Sequence, residues 1–305
     1  MTSFRCGMVS IIGRPNVGKS SLLNVILEEK ISIVSKVPQT TRNEIRGIYN
    51  HAKGQIIFID TPGIHQQRDH LDKYMNTSSL RTINDVDCII HLVDANLPVG
   101  REEEQIVKKL LTVKAPVILG LNKIDLKGKC VPEYISLWER VSGKSLSDLE
   151  SFVLVPLSAR SGFNIDLLLE LLWERLPEGP ALYPRDIISD VPQKIAVADI
   201  IREKLLGILR DEVPHAIGVV VEQIQPRRDK ILFIEVSILV ERDSQKEIVI
   251  GKKGQVLKNV GTLARCELET LLESKVFLDL HVKSKKNWRD NPSLLEDMGY
   301  RHEGR

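Results

Sequence analysis

Residues 13–20 read Gly-Arg-Pro-Asn-Val-Gly-Lys-Ser and match G-x-x-x-x-G-K-[ST] at every specified position. The pattern is that of a loop holding phosphate. Glycine at 13 and 18 lets backbone N–H groups turn towards phosphate oxygens, and a following helix adds its N-terminal partial charge. Lys19 is placed to neutralise β- and γ-phosphate charge, and the Ser20 hydroxyl to ligate Mg2+. The expected cradle is Gly13, Arg14, Pro15, Asn16, Val17, Gly18, Lys19, Ser20 and Ser21. Asp60-Thr61-Pro62-Gly63 closes a later apolar run. An Asp there can hold Mg2+, usually through water, and Gly63 can bring its N–H close to a γ-phosphate because it has no side chain. Asn122-Lys123-Ile124-Asp125 closes another run. The Asp125 carboxylate can accept from guanine N1–H and the 2-amino group, donors that adenine lacks, so it predicts GTP over ATP. Asn122 either reads the opposite edge of the base or ties loops together. Ser158-Ala159-Arg160 ends the next run, where the Ala159 N–H can meet guanine O6.

Between Ser20 and Asp60 lies Pro38-Gln39-Thr40-Thr41-Arg42. Thr41, ahead of Thr40, is expected to close its hydroxyl over Mg2+ when GTP is present and to release it after hydrolysis. The metal set is then Ser20, Thr41 and Asp60, and the catalytic set Lys19, Thr41 and Gly63. Position 64 carries isoleucine, where many signalling GTPases carry a Gln that orients the attacking water. Hydrolysis must use another group, a backbone contact or an ion. Asn16 resembles the asparagine of potassium-assisted GTPases, so K+ joins Mg2+ as an expected cofactor.

These motifs need a scaffold that delivers them to one edge. Short runs rich in Val, Ile and Leu at 8–13, 55–60, 86–94, 116–122 and 152–158 read as strands covered on both faces. Helical patterns at 19–29, 101–113, 132–141 and 164–175 alternate with them. This predicts a doubly wound, mostly parallel α/β sheet, with 44–50 and 55–60 forming one antiparallel hairpin. The motifs all fall at strand C-terminal ends, where such sheets bind ligands. Their order and spacing resemble the small GTPases across residues 1–176.

Residues 177–189, rich in proline, are the expected linker, because proline removes donors and disfavours helix before it. From 190 to 305 the order changes to α-β-β-α-α-β, an α+β arrangement. Within it Gly251-Lys252-Lys253-Gly254 forms a GxxG loop between two predicted helices, which resembles a KH domain of the bacterial type (type II). In KH domains that loop clamps single-stranded RNA while apolar neighbours hold unstacked bases. The expected RNA contacts are Ile248, Ile250, Gly251, Lys252, Lys253, Gly254, Val256 and Lys258. From residue 190 onward 20 Lys and Arg stand against 19 Asp and Glu, so only local clusters argue for RNA. One is Lys252–Lys253–Lys258; the other, Lys283–Lys285–Lys286–Arg289, equally suits a solvated face or anionic lipid.

Composition sets the outer limits. The 305 residues suit two domains, and 42% hydrophobic with 28% charged residues is ordinary for a globular protein. A net charge of +2 excludes a histone-like polycation. Four cysteines without CxxC spacing argue against a disulfide framework or zinc site, and for a reducing compartment. No apolar run approaches the roughly 20 residues of a spanning helix, and the first residues do not form a leader; an intracellular, soluble chain is expected.

The segments GRPNVGKS, PQTTR, DTPGIH, NKID and SAR, followed by REKLL, VIGKKG and HVKSKKNW, closely resemble the Era family of ribosome-assembly GTPases. The resemblance implies a GTPase and KH-domain pair that binds near the 3′ end of 16S-type rRNA and assists maturation of the small ribosomal subunit. It also implies GTP and GDP as ligands, a cytoplasmic monomer, and peripheral contact with the inner membrane. The expected mechanism is a nucleotide-gated RNA clamp, in which segments 38–42 and 61–70 order around GTP and Mg2+. The alternative is a membrane-associated signalling GTPase whose second domain binds protein or lipid.

Overall fold

A computed structural model of the chain describes residues 4–64, 67, 69–150, 152–227 and 231–300. Their contacts divide into two compact units. The first holds the described residues of 1–34, 41–68 and 75–190; the second holds those of 35–40, 69–74 and 191–305.

The first unit is built on six strands: β1 (Arg5–Ile12), β2 (Ile45–His51), β3 (Gly54–Asp60), β4 (Cys88–Asp94), β5 (Val117–Asn122) and β6 (Phe152–Pro156). Their order is β2-β3-β1-β4-β5-β6. All pair in parallel except β2, which runs antiparallel to β3 as the hairpin pattern predicted. Strand order reverses between β1 and β4, which opens the crevice at their C-terminal ends. Helices α1 (Lys19–Leu27), α3 (Arg101–Leu110), α4 (Val131–Ser142) and α5 (Ile165–Arg175), with residues 75–81 of α2 (His70–Arg81), complete the unit's main elements. One core joins Ile12, Val93, Ile106, Val107, Leu119 and Trp138.

Helix α2 has no counterpart in the sequence reading. Its buried positions include Leu71, Met75, Ser78 and Ser79, so half of that face is hydroxyl and no apolar stripe registers. Ser79 Oγ donates to the Pro62 carbonyl at 2.7 Å, so the helix side chains fasten the segment after β3.

The expected linker is strapped to the first unit. The buried Gln55 side chain on β3 accepts from the Leu182 and Tyr183 N–H groups at 2.8 and 2.9 Å and donates to the Tyr183 carbonyl at 2.9 Å. Ile48 N–H donates to the Ile188 carbonyl at 2.9 Å, so the stretch covers the otherwise unpaired edge of β2. Proline took donors from this segment, but the Leu182 and Tyr183 amides and the Tyr183, Arg185 and Ile188 carbonyls find partners on β2 and β3.

The second unit contains α6 (Gln193–Ile208), α7 (Val213–Ala216), β7 (Gly218–Pro226), β8 (Ile231–Val240), α8 (Asp243–Ile250), α9 (Gln255–Leu271), β9 (Lys275–Ser284) and α10 (Pro292–Asp297). Its sheet has the order β7-β8-β9, antiparallel then parallel. Helices α8 and α9 make the crossover that a parallel β8–β9 pair requires. Val197, Ile201, Val236, Ile238, Val260 and Leu268 meet in the core on one face of that sheet.

Candidate functional site

The loop between β1 and α1 turns through two left-handed positions, Asn16 at φ 64° and Gly18 at φ 105°. Successive N–H groups in such a turn make a concave anion site. A Cβ at 18 would lie 2.3 Å from Asn122 Nδ2, so glycine is also required there by packing. Lys19 is buried, and its Nζ donates to the Gly13 and Arg14 carbonyls at 3.1 and 3.0 Å. Burial pushes its pKa down to about 8, against the pull of Asp60 and Glu103. A polyphosphate would supply the counter-charge that this ammonium lacks.

Three oxygens converge beside it. Ser20 Oγ lies 2.7 Å from Asp60 Oδ2 and 2.7 Å from Thr41 Oγ1. Asp60 Oδ1 is buried and has no hydrogen bond among the described residues. Burial raises the Asp60 pKa, with Lys19 and Ser20 opposing. A hard divalent cation would satisfy the orphaned oxygen, and hydroxyl plus carboxylate is the donor set that Mg2+ prefers. One carboxylate alone suits a metal held jointly with phosphate and water rather than an all-protein cage. Thr40 turns elsewhere, its Oγ1 donating to the Val37 carbonyl at 2.6 Å, so Thr41 is the threonine beside Ser20.

Gly63 is pressed against the phosphate loop: a Cβ there would lie 2.6 Å from Pro15 N. Thr61 Oγ1 donates to the Ile11 carbonyl at 2.8 Å and is buried, so it joins β3 to β1 rather than facing the crevice. Ile64 packs into the core beside Ile83 and Val93, with its N–H 3.4 Å from the Gly13 carbonyl. Of the expected gating segment 61–70, residues 65, 66 and 68 lie outside the described residues.

At the base end, Asn122 is buried and spends both ends of its amide on the protein. Its Nδ2 donates to the Val17 carbonyl at 2.7 Å, and its Oδ1 accepts from Ala159 N–H at 2.9 Å. These bonds tie the loops at Val17 and Ala159 together, one of the two roles expected for Asn122. The Ala159 N–H expected to meet guanine is, in this arrangement, donated to Asn122. Ser158 is buried, and its Oγ accepts from Ser161 N–H at 3.2 Å, shaping the turn that leaves Arg160 exposed. Lys123, at φ 62°, lays its Nζ 2.8 Å from the Asn16 carbonyl and 2.7 Å from Asp94 Oδ2. Asp125 is exposed on the turn Ile124–Leu126, its acceptors turned to solvent.

In the second unit, Gly251 (φ 72°), Lys253 (φ 53°) and Gly254 (φ 74°) bend the chain between α8 and α9 and leave Lys252 and Lys253 exposed. From Gly254 a groove of about 580 Å³ runs between α9 and β9. Its α9 wall is Gly254, Leu257, Lys258, Gly261 and Arg265, and β9 contributes Leu278 and Leu280. Ile248, Ile250 and Val256, expected to hold bases, do not line it. Ile250 and Val256 pack against the core, and Ile248 is exposed. Ile248 and Ile250 lie on α8, away from the α9 wall, and Val256 on α9 turns to the core.

Residues 8–123 match the 50S ribosome-binding GTPase family and residues 212–289 the KH domain family. The GTPase Era of Geobacter metallireducens is 49% identical over 300 residues, covering 97% of this chain and 98% of that one. The chain belongs to the Era family of GTPases. An Era crystallised with MgGDPNP and nucleotides 1506–1542 of 16S ribosomal RNA is 37% identical, with a TM-score of 0.90 over 97% of this chain and 99% of that chain. A variant of Aquifex aeolicus Era bound to GDP·AlF4− is 38% identical, with the same TM-score and coverage.

An Era-family GTPase must hold its phosphate loop rigid, and part of that support escaped the sequence reading. Arg14, expected at the phosphates, turns its guanidinium away. It forms an ion pair with Glu103 on α3 and donates to the Pro98 carbonyl at 3.1 Å and to Tyr134 Oη at 3.2 Å. Glu103 and His91 are fully buried, with His91 Nε2 3.4 Å from Glu103 Oε1. A buried carboxylate attracts the nearest cation, and Arg14 is that cation. Asp94 and Asn96 were missed too: Asp94 holds Lys123, and Asn96 Nδ2 donates to the Lys123 carbonyl at 2.8 Å. Acidic and amide residues at the C-terminal end of β4 were the available signal. In the KH unit Gly261 was the signal for the groove, because glycine inside a helix costs about 1 kcal/mol against alanine and needs a reason.

Proposed function

We propose that this chain is a GTP-timed clamp on single-stranded RNA, taking the 3′ region of 16S-type rRNA during assembly of the small ribosomal subunit. The observation that carries this is the groove between α9 and β9, opening from the GxxG loop, in a chain whose 37%-identical relative was crystallised with MgGDPNP and that RNA. In this reading Lys252 and Lys253 meet phosphates and the apolar groove walls hold bases. Segments 38–42 and 61–70 sense the γ-phosphate, and the two nucleotide states bind RNA with different affinities.

In the nucleotide site, loop N–H groups and Lys19 hold the β- and γ-phosphates, Gly63 offers its N–H to the γ-phosphate, and Asp125 reads guanine. Ser20, Asp60 and Thr41 would hold Mg2+, which supplies neutralising charge on the phosphate oxygens. Asn122 and Lys123 keep the phosphate and base loops in register. Ile64 leaves the attacking water without a side chain to orient it at that position. K+ beside Asn16 would add positive charge near the transferring phosphoryl group. Turnover in KCl exceeds turnover in NaCl at matched ionic strength if this holds; equal rates remove potassium from the mechanism.

Replacing Lys252 and Lys253 by Asp tests the clamp. Affinity for a 3′-terminal 16S-type oligomer drops at least about 100-fold, as two phosphate contacts become repulsive, while GTP turnover without RNA stays within about twofold. Retained RNA affinity would sink the clamp, and so would equal wild-type affinity with GDP and a non-hydrolysable GTP analogue sink its timing.

The signalling alternative, with lipid contact through Lys283–Arg289, draws less support. Lys283 pairs with Glu222 at 3.3 Å, and Arg289 donates to the His215 carbonyl at 2.9 Å, so half of that cluster serves the fold. No helix among the described residues is long and apolar enough to cross a membrane.

A further inference from the structure

The groove does not end at its walls. Gly261 faces Leu280 across it, with a Cβ at 261 falling 3.4 Å from Leu280 Cδ1. Helix α9 leads back into β9 through a short turn, so the two run in opposite directions. Three residues before Leu280, about 10 Å along the strand, Phe277 lies at the groove end remote from Gly254. Phe277 lines the groove and also a second cavity, formed with Pro226, Arg227 and Ile231. It is 54% exposed.

Phe277 is not a stray surface aromatic. Its register partner on β8 is Phe233, and the two rings stack with centroids 5.8 Å apart and planes 22° from parallel. The Arg227 guanidinium lies 3.7 Å from the Phe233 centroid and 5.7 Å from that of Phe277. Packing locks the buried ring under the exposed one, so an arriving planar group meets a pre-ordered surface at little entropic cost. Lys258 and Arg265 line the groove, Lys252 and Lys253 stand exposed in the GxxG loop at one end, and Arg227 lies in the second cavity at the other. Asp279, the next outward residue of β9, is paired with His281 at 3.3 Å and bounds the platform with negative charge.

We propose that Phe277, backed by Phe233 and Arg227, is a stacking platform for a nucleobase of single-stranded RNA beyond the nucleotides held at the GxxG loop. The proposal rests on the RNA-clamp reading and extends it. Continuity with the groove and the basic path select RNA as the occupant. A ring face beside a guanidinium is what a base stacks on without regard to its identity, so the platform adds reach and affinity rather than sequence preference. GxxG loops clamp about four nucleotides; the platform accounts for at least one more.

A nested series of single-stranded RNA oligomers, four to eight nucleotides long and ending at the 3′ end of 16S-type rRNA or at fixed points within it, tests this on the full chain. With wild type, affinity rises about tenfold when the oligomer becomes long enough to reach Phe277, the size of one stacking contact. In Phe277→Leu that step falls below about twofold. In Phe277→Trp the step survives, and the new indole emission is quenched by the longer oligomers and not by the shortest. Two results overturn the platform: Phe277→Leu keeps the full step, or it weakens the shortest and longest oligomers equally, which makes Phe277 only a groove wall. If wild type binds none of the oligomers, the RNA reading itself falls and takes the platform with it. That outcome is separate, because Lys252→Asp with Lys253→Asp then changes nothing either.

Discussion

Asp125→Asn lowers affinity for GTP by about 10²- to 10⁴-fold and raises affinity for xanthosine triphosphate above that for GTP. Guanine presents two donors, N1–H and the 2-amino group, and a carboxylate accepts both. The Asn amide has one oxygen and one NH2, and its NH2 meets a donor on guanine. Each charge-assisted bond is worth about 1.5–3 kcal/mol, and a buried donor facing a donor adds its own penalty. Xanthine carries a carbonyl in place of the 2-amino group, so the amide becomes complementary to it. Asp125 is exposed, so the substitution leaves thermal stability within about 0.5 kcal/mol. Competition of GTP, XTP and ATP against a fluorescent guanine nucleotide measures the ranking. GTP affinity within tenfold of the parent would show that Asp125 does not read the base.

Gly63→Ala slows GTP hydrolysis about 100-fold or more while weakening GDP much less. A methyl at 63 would fall 2.6 Å from Pro15 N and 2.8 Å from Pro15 Cα, and both are backbone atoms that no rotamer change can move aside. The segment after β3 must therefore retreat from the phosphate loop. Gly63 N–H then leaves the γ-phosphate, and a displacement near 1 Å at a reacting centre costs about 10²-fold. GDP has no γ-phosphate and does not use that contact. Single-turnover hydrolysis beside GDP and GTP-analogue titrations separates the effects. Equal losses for both nucleotides would trace the defect to a distorted phosphate loop and remove Gly63 from the γ-phosphate site.

The two predictions differ in what they needed. Asp125 follows from four adjacent residues, because the features that suit it to a base are local: strand end, tight turn, exposed carboxylate. Gly63 was a candidate from its place after Asp60, but the size of its effect comes from Pro15, a contact between residues far apart in sequence. Helix α2 was not legible at all, since Ser78 and Ser79 occupy its buried face. The hairpin of β2 and β3 was legible, since its alternation and turn lie within one short stretch. The strap at 177–189 was legible as an irregular segment but not as an attached one, because Gln55, which holds it, reads in sequence as an ordinary polar strand residue.

By itself the sequence determined which chemistry to expect of this protein: phosphate at residues 13–20, metal at Ser20 and Asp60, guanine at Asp125, and a GxxG loop in an α-β-β-α-α-β order. Those features are set by backbone geometry and side-chain types within a few residues, so no long-range information is needed. Tertiary structure alone decided which way the ambiguous side chains face. Arg14 points at Glu103 because a buried carboxylate needs a cation, and α3 brings that carboxylate from some 90 residues away. Asn122 joins two loops because Val17 and Ala159 both reach its amide. The groove beside the GxxG loop lies between α9 and β9 because only folding brings Gly261 opposite Leu280.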